Sequence, residues 1–240
     1  MLTDGLSAPE TAELGKGKMK KHIICFGDSN THGYCADPND CADGGNRFNE
    51  AERWPCLLRE KLGTSVLVLE EGLSGRTTVF SDPLHESMAG LDVIYSVLMS
   101  QEPVDLLIIM LGTNDTKERF GANAACIGIG LERLIMKAKS VPCWRDEKPR
   151  ILVVAPPYIG EGLYDVPEGE AMGRGCPEKS RGLSRHFAAA AERQGCGFLD
   201  AEGVAEFNRL DCMHLTRRGH AQLAEALAAI VPGMLRERDE

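Results

Sequence analysis

Apolar residues fall in two alternating patterns along this chain. Short continuous runs stand at His22 to Phe26, Val66 to Leu69, Val104 to Leu111, Arg150 to Ala155 and Cys196 to Leu199. Between them lie stretches whose apolar positions recur at helical spacing, as in Glu52 to Leu62, where Trp54, Leu57, Leu58 and Leu62 share one face and Pro55 is confined to the first turn. Leu91 to Met99, Ala122 to Lys139, Glu178 to Gln194 and Thr216 to Ile230 complete the set of predicted helices, with Gly128 and Gly130 weakening the second of these four. Strands that are apolar throughout, rather than at every second position, are buried on both faces, and their alternation with helices predicts a parallel sheet. The expectation is one three-layer α/β/α sandwich with a central parallel sheet of about five strands.

Two polar segments interrupt this pattern. Gly33 to Asn46 is rich in Asp, Asn, Gly and Cys and reads as loop, as does Tyr158 to Pro177 with five glycines and two prolines. Residues 1–19 read as a flexible extension, with Met19 a second candidate start and no apolar core of a secretory signal, so that the domain spans 20–240. At 240 residues, one core suffices.

Charge narrows the partners. With 27 Lys and Arg against 36 Asp and Glu, the formal charge is −9 and no basic run offsets it. Neither nucleic acid nor an anionic membrane suits such a surface. The nine cysteines are scattered without a C-x-x-C pair, which fits reduced thiols in a cytoplasmic protein better than a disulfide framework or a zinc site. Cys35 and Cys41 are the one pair close enough in a loop to merit inspection.

In parallel sheets ligands bind beyond the carboxyl ends of the strands. After the first strand comes Gly27-Asp28-Ser29-Asn30-Thr31-His32-Gly33. Its glycine spacing matches a phosphate-binding loop, but Tyr34 and Cys35 stand where that motif needs Lys and Ser/Thr. Two readings of Ser29 remain on this segment alone: a turn or helix cap, or a nucleophile at a strand end. A nucleophilic serine needs a base and an orienting carboxylate, and Asp211-Cys212-Met213-His214 supplies both three residues apart. Acyl transfer also needs donors for the developing oxyanion. Asn114 offers a side-chain amide after the most buried strand, and Gly75 a backbone N–H free of a Cβ after the second.

Taken together these blocks resemble the SGNH, or GDSL-type, hydrolase superfamily: Gly27-Asp28-Ser29, Leu73-Ser74-Gly75-Arg76-Thr77-Thr78, Gly112-Thr113-Asn114-Asp115 and Asp211 to His214, in that order. The strings Glu70 to Ser74 and Ile108 to Lys117 are similar to its arylesterase and acyltransferase (perhydrolase) branch. The resemblance implies a flavodoxin-like fold and a serine esterase acting on small, acetyl-type acyl esters, with acyl transfer to alcohols as an added outcome. It implies Ser29, Asp211 and His214 as catalytic residues, and Ser29, Gly75 and Asn114 as the oxyanion hole. It also implies a homo-oligomer and no metal or organic cofactor. Asp28, His32 and Tyr158 are candidate substrate contacts. A carbohydrate O-acetyl esterase with the same triad is the alternative, with Tyr158, Tyr164, Asp165 and Glu168 as sugar-facing groups. A non-catalytic binding relic of the fold is the third reading. The branch favours Leu-Thr-Trp after the serine; this chain has Asn30-Thr31-His32.

Overall fold

The computed structural model describes residues 19–236. The extension expected over residues 1–19, apart from Met19 itself, lies outside them. Five strands, β1 (Lys21–Gly27), β2 (Val66–Gly72), β3 (Leu106–Met110), β4 (Ile151–Ala155) and β5 (Gly197–Asp200), form a single sheet in the order β2-β1-β3-β4-β5, and every pairing is parallel.

Successive residues of a strand face opposite sides, so each apolar run feeds two cores at once. Ile24 and Phe26 of β1 join Leu107 and Ile109 of β3 on one face. There they meet α3 (Gly90–Ser100), α4 (Ala124–Lys139) and α6 (Cys176–Arg193) through Ile94, Leu98, Ile127, Leu131, Leu183 and Phe187. Ile23 and Cys25 join Leu106 and Ile108 on the other face, covered by α2 (Trp54–Leu62) and α7 (Arg217–Leu235) through Trp54, Leu58, Leu223 and Leu227. The three-layer α/β/α sandwich is therefore present, with the strand order 2-1-3-4-5 of doubly wound folds. Trp54 is core, 1% exposed.

The helices differ from expectation at their ends. Gly128 and Gly130 are not weak points of α4. A Cβ at Gly128 would lie 2.7 Å from Cβ of His186, and one at Gly130 2.8 Å from Val79, so both glycines let neighbouring segments pack close. The 158–177 segment is not a plain loop. It contains a 3-10 turn (Glu161–Asp165) and α5 (Glu168–Met172), and its Ile159, Leu163 and Met172 close a small apolar cluster with Cys176, Cys212 and Met213. The 34–47 segment is loop, and buried Cys35 and Cys41 pack with Phe48 there as free thiols. No helix among the described residues is long and apolar enough to cross a membrane.

Register sets up the site. Gly27 pairs with both Gly72 and Met110, so β1, β2 and β3 end at one level.

Candidate active site

Immediately past that level the chain turns into α1 (Ser29–His32), a single helical turn. Asp28 caps it: its Oδ1 accepts from the N–H of Asn30 at 3.0 Å. Gly33, at φ +86°, closes it by donating its N–H to the Ser29 carbonyl at 2.9 Å. The cap and nucleophile readings of the Gly-Asp-Ser segment thus separate onto adjacent residues, Asp28 as the cap and Ser29 as the first residue of the helix.

This turn sits directly on glycines. A Cβ at Gly27 would fall 2.0 Å from Oγ1 of Thr31, and one at Gly72 2.2 Å from the backbone nitrogen of His32. The ends of β1 and β2 are therefore glycine because a helix backbone rests on them. Arg76 ties the same two strand ends together, donating from Nη1 to the carbonyl of Gly27 at 3.0 Å and to that of Glu71, its guanidinium 4.3 Å over the Phe26 ring. Arg76 is a brace.

Residues 208–216 approach Ser29 from the far end of the sequence. Asp211 Oδ1 accepts from the N–H groups of Met213 and His214, each at 3.1 Å, while Oδ2 lies 2.5 Å from Nδ1 of His214. This tight turn requires Cys212 at φ +60°, an uncommon conformation for a side-chain-bearing residue. Asn208 holds the turn from outside: its Oδ1 accepts from Leu210 and Asp211, and its Nδ2 donates to the carbonyl of His214. Nε2 of His214 then lies 2.8 Å from Oγ of Ser29. With Asp211 ionised, Nδ1 carries the ring proton and Nε2 presents its lone pair to the serine hydroxyl. Burial alone would raise the Asp211 pKa, but the hydrogen bond and charge of His214 and the two N–H groups hold it below the ordinary carboxylate value. The Tyr34 ring packs 4.5 Å from that of His214.

Gly75 and Asn114 lie on the loops that follow β2 and β3, the two neighbours of β1 in the sheet. Gly75 takes φ +93°, accessible to glycine without strain. Asn114, 8% exposed, donates one amide proton to the carbonyl of Arg76 at 3.2 Å, and its second amide proton has no hydrogen-bond partner among the described residues. The two blocks are locked together one residue further on, where Asp115 accepts from the N–H of Thr78 at 2.9 Å and from its hydroxyl at 2.5 Å. Burial pushes Asp28 and Asp115 up to about 6. A buried ion cluster pins the flanking loops. Asp82 accepts from Lys117 Nζ at 3.1 Å and from Arg119 Nη2 at 2.9 Å.

Ser29, His214 and Asp211 are thus joined by hydrogen bonds, Asn114 is bonded to Arg76 beside Gly75, and the three expected substrate contacts are placed differently. Asp28 is 1% exposed, too buried to meet a substrate, and acts on the site as the cap of α1. His32 lies at the end of α1 against Gly72, its pKa lowered by burial and by Arg47 and Arg53. Tyr158 accompanies Asp200 and Glu202, its N–H donating to Glu202 at 2.8 Å, and no hydrogen bond joins it to the triad. Tyr164 and Asp165 line a separate open cleft of about 990 Å³ with Glu118, Glu170, Arg174 and Glu178. Sequence reasoning missed Asn30, Tyr34 and Asn208; only Asn30 left a signal, as the polar residue standing where the related branch has leucine.

The model of the GDSL-like lipase/acylhydrolase family matches residues 25–222. The native aryl esterase of M. Smegmatis is 33% identical, with a TM-score of 0.79 over 90% of this chain and 100% of that one. A carbohydrate acetylesterase family member from Sinorhizobium meliloti is also 33% identical, with a TM-score of 0.80 over 90% of this chain and 99% of that one. A lipase/acylhydrolase from Enterococcus faecalis, 19% identical, shares the fold at a TM-score of 0.65 over 92% of this chain and all of that one. A search of curated proteins gives no match.

Proposed function

The chain belongs to the GDSL-like lipase/acylhydrolase family, in its arylesterase branch, and is a carboxylic ester hydrolase; on that premise we propose that it cleaves small acetyl-type esters through Ser29, His214 and Asp211. The observation that carries this reading is the continuous hydrogen-bonded line from Asp211 Oδ2 through the His214 ring to Ser29 Oγ, at 2.5 and 2.8 Å.

Ser29 Oγ attacks the ester carbonyl as Nε2 of His214 takes its proton, and Asp211 stabilises the imidazolium that forms. The N–H groups of Ser29 and Gly75 and the free amide proton of Asn114 receive the oxyanion. His214 returns the proton to the departing alcohol. Water, activated by the same imidazole, then releases the acid, and an alcohol in its place gives acyl transfer. Every step uses side chains of this protein, and none calls for a metal or organic cofactor. Partners are small acyl esters rather than nucleic acid or membrane, the assembly is a homo-oligomer, and nine free thiols suit the cytoplasm.

Carbohydrate O-acetyl esters are the second reading, supported by the likeness to a carbohydrate acetylesterase family member from Sinorhizobium meliloti. A panel of p-nitrophenyl and aryl esters of graded acyl length, run beside an acetylated sugar and with Ser29→Ala as blank, separates the two. A phosphonate reagent must label Ser29 alone. Labelling elsewhere, or turnover surviving in Ser29→Ala or His214→Ala, overturns the serine mechanism.

A further inference from the structure

Asn30, next to the nucleophile, is 1% exposed, and its side chain reaches across to residues 183 and 185 positions away. Its Nδ2 donates to the carbonyl of Met213 at 3.3 Å, and its Oδ1 accepts the N–H of Leu215 at 2.9 Å. These two backbone groups flank His214 on either side. Among the described residues, the only other hydrogen bond between α1 and the 208–216 turn is the Ser29–His214 contact itself.

We infer that Asn30 is a positioning residue that fixes the imidazole of His214 over Ser29, an inference that rests on the serine-esterase reading above. The physical case is one of geometry. Asp211 and Asn208 shape the histidine turn internally, yet neither reaches α1, so they set the ring's orientation within its own turn but not its distance from the hydroxyl. A planar amide that donates to one residue and accepts from another two positions on defines where that backbone segment lies and which way it runs. The amide is carried on the same helical turn as Ser29, so nucleophile and base share one rigid reference. A leucine at this position fills the space but supplies neither bond. Displacing a catalytic group by about 1 Å costs on the order of 100-fold in rate.

Asn30→Ala removes both bonds, and Asn30→Asp keeps the acceptor for Leu215 while placing a carboxylate near His214. Three quantities decide the matter: kcat and KM on p-nitrophenyl acetate, the rate of phosphonate labelling of Ser29, and the pH profile of kcat/KM. For Asn30→Ala we expect kcat to fall about 10- to 100-fold, KM to change less than about twofold, and labelling to slow in step with kcat, because labelling reports the activated hydroxyl without ester recognition. Asn30→Asp should recover part of the rate and move the acid limb of the profile to higher pH, since a nearby negative charge favours the imidazolium. Wild-type labelling and turnover in a folded Asn30→Ala, with only thermal stability lost, would overturn the inference. Should Asn30→Ala not fold, Asn30→Asp decides, and an unmoved acid limb with wild-type kcat overturns it equally. Failure of the wild-type enzyme to be labelled at Ser29 would instead strike the serine-esterase reading itself.

Discussion

Asp82 offers the sharpest test of how the loops around the site are held. Its side chain is fully buried, with Lys117 Nζ at 3.1 Å and Arg119 Nη2 at 2.9 Å, and the side chains of these two cations are 7% and 21% exposed. Asp82→Asn keeps the shape and still accepts from the N–H of Leu84, but it removes the only negative charge bonded to Lys117 among the described residues. Arg119 retains its bond to the carbonyl of Ala171 and reaches water, so most of the cost falls on Lys117. Breaking a buried pair from one side costs about 3–5 kcal/mol. Relief at Arg119 puts the expected loss near the lower bound, about 3 kcal/mol, which lowers Tm by roughly 6–12 °C in a domain of this size. Burial would raise the Asp82 pKa, but bonds from Arg119, Leu84 and Lys117 hold it well below the usual carboxylate value. Its stabilising contribution is therefore complete above the unfolded value of about 4 and is lost as pH falls through the lower folded value. Urea unfolding at pH 7 and at pH 3.5 should show the wild-type advantage intact at the first and starting to shrink at the second. Asp82→Asn/Lys117→Met should recover most of the loss, because removing both partners strands no charge. A single-mutant loss under about 1 kcal/mol, or a double mutant no better than the single, would refute the view that charge pairing holds these loops.

Other expectations follow from the same geometry. Asn114→Ala should lower kcat by about 10²–10³ with little change in KM, read by steady-state kinetics, because its free amide proton matters once the carbonyl oxygen is an anion; a loss confined to KM would contradict this. Gly72→Ala places a methyl 2.2 Å from the His32 nitrogen. It should cost about 1–3 kcal/mol in denaturant unfolding and reduce turnover together, as α1 is pushed off β2. His220 is wholly buried; its Nδ1 accepts the Trp54 N–H at 3.2 Å, and burial lowers its pKa to about 3. A depressed histidine contributes stability present above about pH 6.5 and lost as pH falls towards the folded value. The stability difference between wild type and His220→Asn should therefore drop by about 1.4 kcal/mol per pH unit between pH 6 and 4. A difference that stays flat with pH would show that His220 is already protonated in the folded protein.

The strands, and the blocks at their ends, were readable because each depends on local pattern: apolar runs of strand length, Gly and Asn at the breaks, Asp three residues before His. The blocks of Ser29, Gly75 and Asn114 follow three strands that the parallel sheet makes neighbours, in the order β2-β1-β3. What stayed hidden depends on partners remote in sequence. Nothing in the Gly-Asp-Ser-Asn string says that Asn30 bonds Met213 and Leu215, since the amide's partners are backbone groups and carry no residue signature. Asp28, His32 and Tyr158 were chosen for proximity along the chain or for residue type. Side-chain direction puts Asp28 into its cap, and the backbone N–H of Tyr158 is bonded to Glu202 beyond β5, the edge strand. The glycines and prolines of the 158–177 segment predict a long loop or lid, although Pro177 sits in the first turn of α6, where proline favours a helix start. Its scattered apolar residues, Ile159, Leu163 and Met172, lack any period yet meet one another in space.

The proposed nucleophile lies near the start of the described residues and the proposed base near their other end, on the turn that leads into α7. That helix is also what covers Val68, Leu106 and Ile108 on one face of the sheet, through Leu223, Ala224 and Leu227. During synthesis, then, the serine, the glycine and the asparagine emerge and can order on β1, β2 and β3 while the imidazole is still inside the ribosome. A nascent chain lacking residues past 210 would lack the proposed base and the apolar residues with which α7 covers one face of the sheet. On the proposed mechanism, docking of α7 and completion of the triad are coupled, because His214 lies on the turn that leads into that helix. Appearance of activity in a translation reaction should therefore time the docking of α7 on the sheet.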